Sequence, residues 1–164
     1  MNFLSVTAVC ALLLSGCSYN NAFTKFHMDK EQELSASSLQ SSKIISQDGQ
    51  TKGVFSAIYL NDVYPESFNQ NEYFYVSIYL KDKKKIYDPN KNEDVALTLM
   101  LNGELPIKIK KLPNKNQFSH LLSRTNDWNV YYLVAFKEQG NTLSLVLKDK
   151  NSSSSALTYY KDEQ

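Results

Sequence analysis

Residues 72–81 read EYFYVSIYLK and alternate between two sets of side chains. One set is apolar throughout and comprises Phe74, Val76, Ile78 and Leu80. The other set carries hydroxyl groups and comprises Tyr73, Tyr75, Ser77 and Tyr79. A period of two residues is that of a β-strand, whose successive side chains point to opposite faces of the sheet. The stretch therefore predicts a strand that buries its Phe74 face and turns its tyrosines outward.

Further strand patterns lie on both sides of this stretch, separated by turn signals. The clearest patterns cover residues 54–60, 95–101, 105–109, 130–136 and 143–147, and weaker ones cover 117–122 and 157–160. Asn102-Gly103 is a typical two-residue hairpin turn, so it predicts that residues 95–101 pair with 105–109. The turn at residues 138–141 likewise predicts a hairpin between 130–136 and 143–147.

These strands predict an all-β fold, most simply an immunoglobulin-like antiparallel β-sandwich of about six to eight strands. The sequence has no Cys-Trp-Cys pattern, so this prediction depends on strand spacing, and a small β-barrel is the alternative. The chain has 164 residues, the length of one domain. Its formal net charge of +1 gives no long-range field towards nucleic acid, which is therefore not an expected partner.

The amino-terminal residues have the pattern of an export signal. An apolar run ends at Leu14 and is shorter than the roughly 20 residues that a membrane-spanning helix needs. It leads into Leu14-Ser15-Gly16-Cys17, which resembles the lipobox of bacterial lipoproteins. The resemblance implies that residues 1–16 are a signal peptide removed before Cys17, and that the Cys17 thiol carries a lipid anchor. Before the apolar run, only the α-amino group of Met1 supplies positive charge.

The same resemblance implies a location in the cell envelope. Ser18 follows the cysteine, and in Gram-negative lipoproteins a non-acidic residue at this position implies sorting to the outer membrane. Cys10 leaves with the signal peptide and Cys17 takes the lipid, so the mature chain has no thiols for a disulfide. A β-rich domain behind a lipobox loosely resembles the immunoglobulin-like lipoproteins of Gram-negative envelopes.

Residues 17–50 are polar and rich in serine, which predicts a flexible tether between the lipid and the domain. As a coil, this tether would span on the order of 30 Å. Residues 51–164 are then the β-domain with a polar tail. The fragment from Gly53 to Lys150 holds every strong strand pattern, so it is expected to fold alone.

The sequence contains few residues suited to catalysis or metal binding. A hydrolase would use His120 with Ser119 or Ser123, but no nucleophile elbow accompanies them, and a non-catalytic histidine is favoured. Residues 88–94 alternate oxygen ligands but lack the glycine and glutamate of an EF-hand calcium loop. Histidines and thiolates are too few for a zinc site. We therefore expect no cofactor and no metal.

Two polar surface features are candidates for interaction or modification. Lys81 and residues 83–85 form a basic turn that suits anionic lipid or glycan phosphate, although such runs are usually solvated turns. Asn151 lies in Asp149-Lys150-Asn151-Ser152-Ser153, which resembles the bacterial N-glycosylation sequon.

The tyrosine stripe is the candidate binding face for a protein or a sugar. Tyr73, Tyr75 and Tyr79 have rings that bury area and hydroxyls that stay hydrated, a combination enriched at recognition surfaces. The alternative, which is favoured, is that the stripe packs across strands against Tyr131 and Leu133.

Together these patterns predict a membrane-anchored envelope lipoprotein with a non-catalytic binding or interaction domain, whose partner is an envelope protein or a glycan. An envelope hydrolase that uses His120 is one alternative. A structural spacer of an envelope complex is the other.

Overall fold

The computed structural model describes residues 30–82, 86–89, 97–123 and 125–161. Nine strands in these residues form one antiparallel sheet, which confirms the all-β prediction. They are β1 (Gln40–Ser46), β2 (Thr51–Tyr59), β3 (Glu72–Leu80), β4 (Thr98–Leu101), β5 (Lys108–Leu112), β6 (Val130–Phe136), β7 (Thr142–Lys148), β8 (Ser152–Ser154) and β9 (Leu157–Tyr160). The same described residues also form three short helices: α1 (Lys30–Ser38), α2 (Leu60–Val63) and a 3-10 turn (Ser119–Leu121).

The sheet curls around one main core. Its strand order is β4-β7-β8-β1-β2-β3-β6-β5, and β9 also pairs with β7. Leu99 of β4 and Val134 of β6 come from opposite halves of this order, yet they belong to the same buried cluster. The rings of Phe74 in β3 and Tyr159 in β9 also meet, with centroids 5.3 Å apart. The described residues thus enclose their core in a half-barrel made of one continuous sheet, where an immunoglobulin-like sandwich has two separate sheets.

The apolar face predicted for residues 72–81 is buried in β3, as expected. Phe74, Val76 and Ile78 are buried in the main core, where they meet the inward residues of β2 and β6. A central strand needs apolar side chains at every second position, and this stretch supplies them. The opposite face of β3 is also largely covered, as described for the tyrosines below.

The Asn102-Gly103 turn forms, but the predicted hairpin with β5 does not. Both residues have positive φ, 49° and 86°, as a two-residue hairpin turn requires. The turn closes a single bridge between Leu101 and Glu104. The Asn102 carboxamide then binds the backbone of Ser144 in β7, and β4 pairs with β7 while β5 pairs with β6. The pairing prediction was wrong because a turn sequence determines the local reversal only.

The second predicted hairpin, between β6 and β7, is also wrong. β6 lies between β3 and β5, and β7 lies between β4 and the β8–β9 segment. Residues 137–141 therefore cross the open end of the half-barrel instead of closing a hairpin. Val134 and Leu145 are nevertheless both buried, as their patterns predicted, because alternation determines which side chains point inward and leaves the partner strand open.

The prediction of a flexible tether is wrong for residues 30–50. Gln40–Ser46 is a strand in the middle of the sheet, paired with β2 on one side and β8 on the other. Its polar side chains add hydrogen bonds to the backbone of neighbouring segments. The Gln40 side-chain amide binds the backbone of Thr158, and Ser42 Oγ accepts a hydrogen bond from the Ser155 N–H at 3.0 Å. Only Ile44 enters the main core from β1, which explains the weak hydrophobic signal. Residues 17–29 lie outside the described residues.

Candidate functional site

The tyrosine stripe is mostly interior. Tyr75 is 1% exposed and its ring stacks on Tyr131, with centroids 5.9 Å apart and planes at 15°. Phe118 lies against the same ring at 5.4 Å, in a second core between the sheet and the helices. Tyr73 is half-buried beside Phe68, whereas Tyr79 is 38% exposed. The predicted binding face is therefore wrong for Tyr75, which instead packs against Tyr131 as the alternative predicted, and a binding role of Tyr73 and Tyr79 stays a prediction.

The helices α1, α2 and the 3-10 turn form a helical layer beside the sheet, and His120 in the 3-10 turn contacts Glu31 of α1 and Tyr64, which follows α2. Its Nε2 lies 2.8 Å from the Tyr64 hydroxyl and 3.6 Å from Oε2 of Glu31 in α1. Burial and the nearby Glu31 carboxylate raise the pKa of Tyr64 to about 12, so its hydroxyl keeps its proton at neutral pH. Ser119 Oγ instead accepts a hydrogen bond from the Asn116 N–H at 2.9 Å. Among the described residues, no hydrogen bond joins the His120 ring to Ser119 or Ser123, the hydroxyls that a hydrolase would use.

The remaining candidates from the sequence are partly described. Asn151 is exposed in the turn between β7 and β8, where its N–H donates to Oδ1 of Asp149 at 2.8 Å, and its glycosylation stays a prediction. Lys81 is exposed, but residues 83–85 of the basic turn lie outside the described residues. The same is true of residues 90–94 and of Cys17.

A cleft of about 880 Å³ opens at one end of the half-barrel. Here β2 ends, β3 begins, and the connection from β6 to β7 crosses. Leu34 of α1 and residues 61–71 form one side, and Glu138, Asn141 and Lys161 form the other. Mouths of β-barrels are frequent ligand sites, and this volume lies within the range of about 300–1,000 Å³ that small-molecule sites occupy.

The floor of the cleft is a buried carboxylate with three partners. Glu72 is 2% exposed, and its position on β3 is the inward one two residues before Phe74. Its Oε2 accepts the Tyr59 hydroxyl at 2.5 Å, and its Oε1 accepts the Lys161 ammonium at 2.9 Å and the Gln139 N–H at 2.8 Å. A buried charge is stable only when it is paired and hydrogen-bonded in this way. We call Tyr59, Glu72, Gln139 and Lys161 the floor cluster.

The contacts of the floor cluster suit a structural role in the cleft better than a catalytic one. Both Glu72 oxygens are occupied, and Lys161 Nζ also donates to the Gln139 carbonyl at 2.7 Å. Burial, followed by the adjacent Glu72 carboxylate, raises the pKa of Tyr59 well above its ordinary value, so the phenol remains a donor. The cluster therefore ties together β2, β3, the β6–β7 connection and the residue after β9.

Sequence reasoning missed this cluster, although one signal was present. Glu72 shares the parity of Phe74 and Val76, so it is a carboxylate on the buried face of a central strand. Such a position requires a cationic or hydrogen-bonding partner. The identity of that partner was not predictable, because Lys161 follows only a weak strand pattern and lies 89 residues away in the chain.

We expect the protein to lose stability in alkaline solution, because burial raises the pKa of several tyrosines, including Tyr59, Tyr159 and Tyr75. The unfolded chain releases these phenolic protons near pH 10, whereas the folded chain retains them. The stabilisation is complete below about pH 10 and is lost as the pH rises towards the folded-state pKa values. Urea midpoints measured from about pH 8 to pH 11 should fall beyond pH 10.

Ultraviolet absorbance of phenolate provides the matching readout. The buried tyrosines should ionise together with unfolding, and replacement of the exposed Tyr160 by phenylalanine should leave the pH dependence of the urea midpoint unchanged. Full phenolate absorbance from a chain that is still folded would contradict the prediction.

Comparison with known protein families, curated proteins and solved structures finds no match to this chain. Within the residues that the structure describes, no helix is long and apolar enough to cross a membrane. Those residues also contain no group of three histidine, cysteine or acidic side chains arranged to hold a metal ion.

Proposed function

We propose that this chain is a lipid-anchored lipoprotein of the bacterial cell envelope, sorted to the outer membrane as Ser18 implies, and that its domain is a non-catalytic binding module. The cleft at the mouth of the half-barrel is the binding site. The membrane part of the proposal follows from Leu14-Ser15-Gly16-Cys17, and the binding part follows from the cleft.

One observation carries the binding part: the floor of the cleft is fully hydrogen-bonded, whereas its rim is not. Glu72 and Tyr59 are held by protein partners, so they shape the site. On the rim, the side chains of Gln70 and Asn141 are exposed and make no hydrogen bond to any other described residue. A rigid floor with unpaired polar groups above it suits recognition, because a ligand satisfies those groups without displacing internal contacts.

The membrane part is tested by replacing Cys17 with alanine in the producing bacterium. Because only this thiol lies in the lipobox, Cys17→Ala should abolish incorporation of radioactive palmitate and move the protein out of the membrane fraction. Cys10→Ala is the matched control, since Cys10 lies in the predicted signal peptide and its loss should leave labelling unchanged. Undiminished labelling of the Cys17→Ala protein would refute the anchor.

A further inference from the structure

The rim of the cleft is built largely from side-chain amides. Gln70, Asn71 and Asn141 line it, and their amide groups form no hydrogen bond within the described part of the chain. Each amide offers two N–H donors and one carbonyl acceptor. The rim therefore presents donors and acceptors from both sides of the cleft, which suits a ligand whose own groups both donate and accept.

The charges at the cleft disfavour an anionic ligand. Among the described residues that line it, the carboxylates of Asp62, Glu72 and Glu138 outnumber the ammonium of Lys161, so their formal charges sum to minus two. That ammonium is already bound to Glu72 Oε1 at 2.9 Å and to the Gln139 carbonyl at 2.7 Å. A phosphate or carboxylate ligand would therefore meet repulsion, and the described lining offers it no cation that is not already paired.

One wall of the cleft is apolar. Leu34, Pro65 and Phe68 contribute to the lining, and Phe68 is held in place by ring contacts with Tyr73 at 4.9 Å and Phe118 at 6.1 Å. The wall is small beside the polar lining, so a purely apolar ligand would leave the amides of the rim unpaired. A sugar ring has hydroxyls at its edge and C–H groups on its face, and it matches both parts of the cleft.

We propose that the cleft binds a short neutral saccharide, with Gln70, Asn71 and Asn141 hydrogen-bonded to its hydroxyls and Phe68 against its C–H face. This inference rests on the proposed function, because it takes the cleft as the binding site, and it adds the chemical class of the ligand. Lys161 and Glu72 hold the floor and do not contact the saccharide in this assignment.

The test uses the full lipidated protein, purified from membranes in a detergent without a sugar headgroup. Isothermal titration calorimetry is carried out with neutral di- and trisaccharides of glucose, galactose, mannose and N-acetylglucosamine. At least one of them should bind with a Kd below about 10 mM. Disaccharides containing glucuronic acid should bind more weakly than their neutral counterparts, because the cleft carries excess negative charge.

Exposed rim residues allow the site to be located without unfolding the protein. Gln70→Ala combined with Asn141→Ala should weaken binding about tenfold or more, because each change removes hydrogen bonds to the ligand. Gln47→Ala is the matched control, since Gln47 is an exposed amide in the turn between β1 and β2, away from the cleft lining, and its loss should leave Kd unchanged. Thermal midpoints of all variants should agree with that of the parent.

Three results would overturn the saccharide assignment. The first is that no neutral saccharide binds, and the second is that binding survives the double rim change undiminished. The third is that a tri-lysine peptide binds in a rim-dependent manner while the saccharides do not, which would assign the cleft to a cationic ligand and leave the proposed binding function in place. Palmitate labelling of Cys17 does not depend on the cleft, so a failure of the proposed anchor is distinguished from a failure of the saccharide assignment.

Discussion

Replacement of Tyr75 by alanine is expected to lower the free energy of unfolding by about 3–5 kcal/mol, the usual cost of removing a large buried aromatic ring. Tyr75 is 1% exposed, its ring stacks on Tyr131, and its hydroxyl accepts a hydrogen bond from Asn116 Nδ2 at 3.3 Å. The change leaves a cavity in the second core and removes one of the hydrogen bonds of Asn116, which also donates to the Pro113 carbonyl. Equilibrium urea denaturation, followed by circular dichroism, measures the effect.

Tyr79→Ala is the matched control, because Tyr79 is on the same face of the same strand and is 38% exposed. Its loss should change the free energy of unfolding by about 0.5 kcal/mol or less. Equal effects of the two changes would mean that the second core does not cover Tyr75, and the tyrosine stripe would again be a candidate binding face.

The fragment of residues 53–150 is expected to remain unfolded, in contrast to the expectation from the sequence patterns. In the strand order, β8 and β1 lie between β7 and β2, and both are missing from this fragment. Their removal separates β4 and β7 from β2, β3, β6 and β5, so the two halves of the sheet lose their hydrogen-bonded connection. The fragment also lacks the core residues Ile44, Leu157 and Tyr159.

A fragment of residues 30–161 is the matched comparison, because it retains every described strand. It should show a cooperative urea transition and a dispersed amide spectrum by nuclear magnetic resonance, whereas residues 53–150 should show neither. A cooperative transition in the shorter fragment would mean that β1, β8 and β9 are not needed to hold the sheet together.

The sequence predicted strand positions well because burial leaves a period of two in the side chains. Phe74 and Leu145 are examples, since each lies within a regular alternation and each is buried. β1 was missed because its place in the sheet depends on backbone pairing and on the polar side chains of Gln40 and Ser42, which have no such period. Strand partners were mispredicted at Asn102-Gly103 because long-range pairing is determined by the whole core.

The candidate site was predictable only in fragments. The sequence places Glu72 on the inward face of β3, but the floor cluster also needs Lys161 and Gln139, which come from distant segments. The exposure of Tyr75 was mispredicted for a related reason. Its cover comes from Phe118 and the helical layer, and the sequence of β3 contains no information about that layer.

The helix α1 begins at Lys30, so only twelve residues separate it from Cys17. If Cys17 carries the proposed lipid, the covalent length of these twelve residues limits the distance between the lipid and the start of α1 to about 40 Å. Under the proposed anchoring, the start of the domain would stay within that distance of the bilayer, and ligands far above the membrane would be out of reach. For a partner anchored in the same leaflet, confinement acts as a high effective concentration, so contacts of modest intrinsic affinity suffice for lasting association.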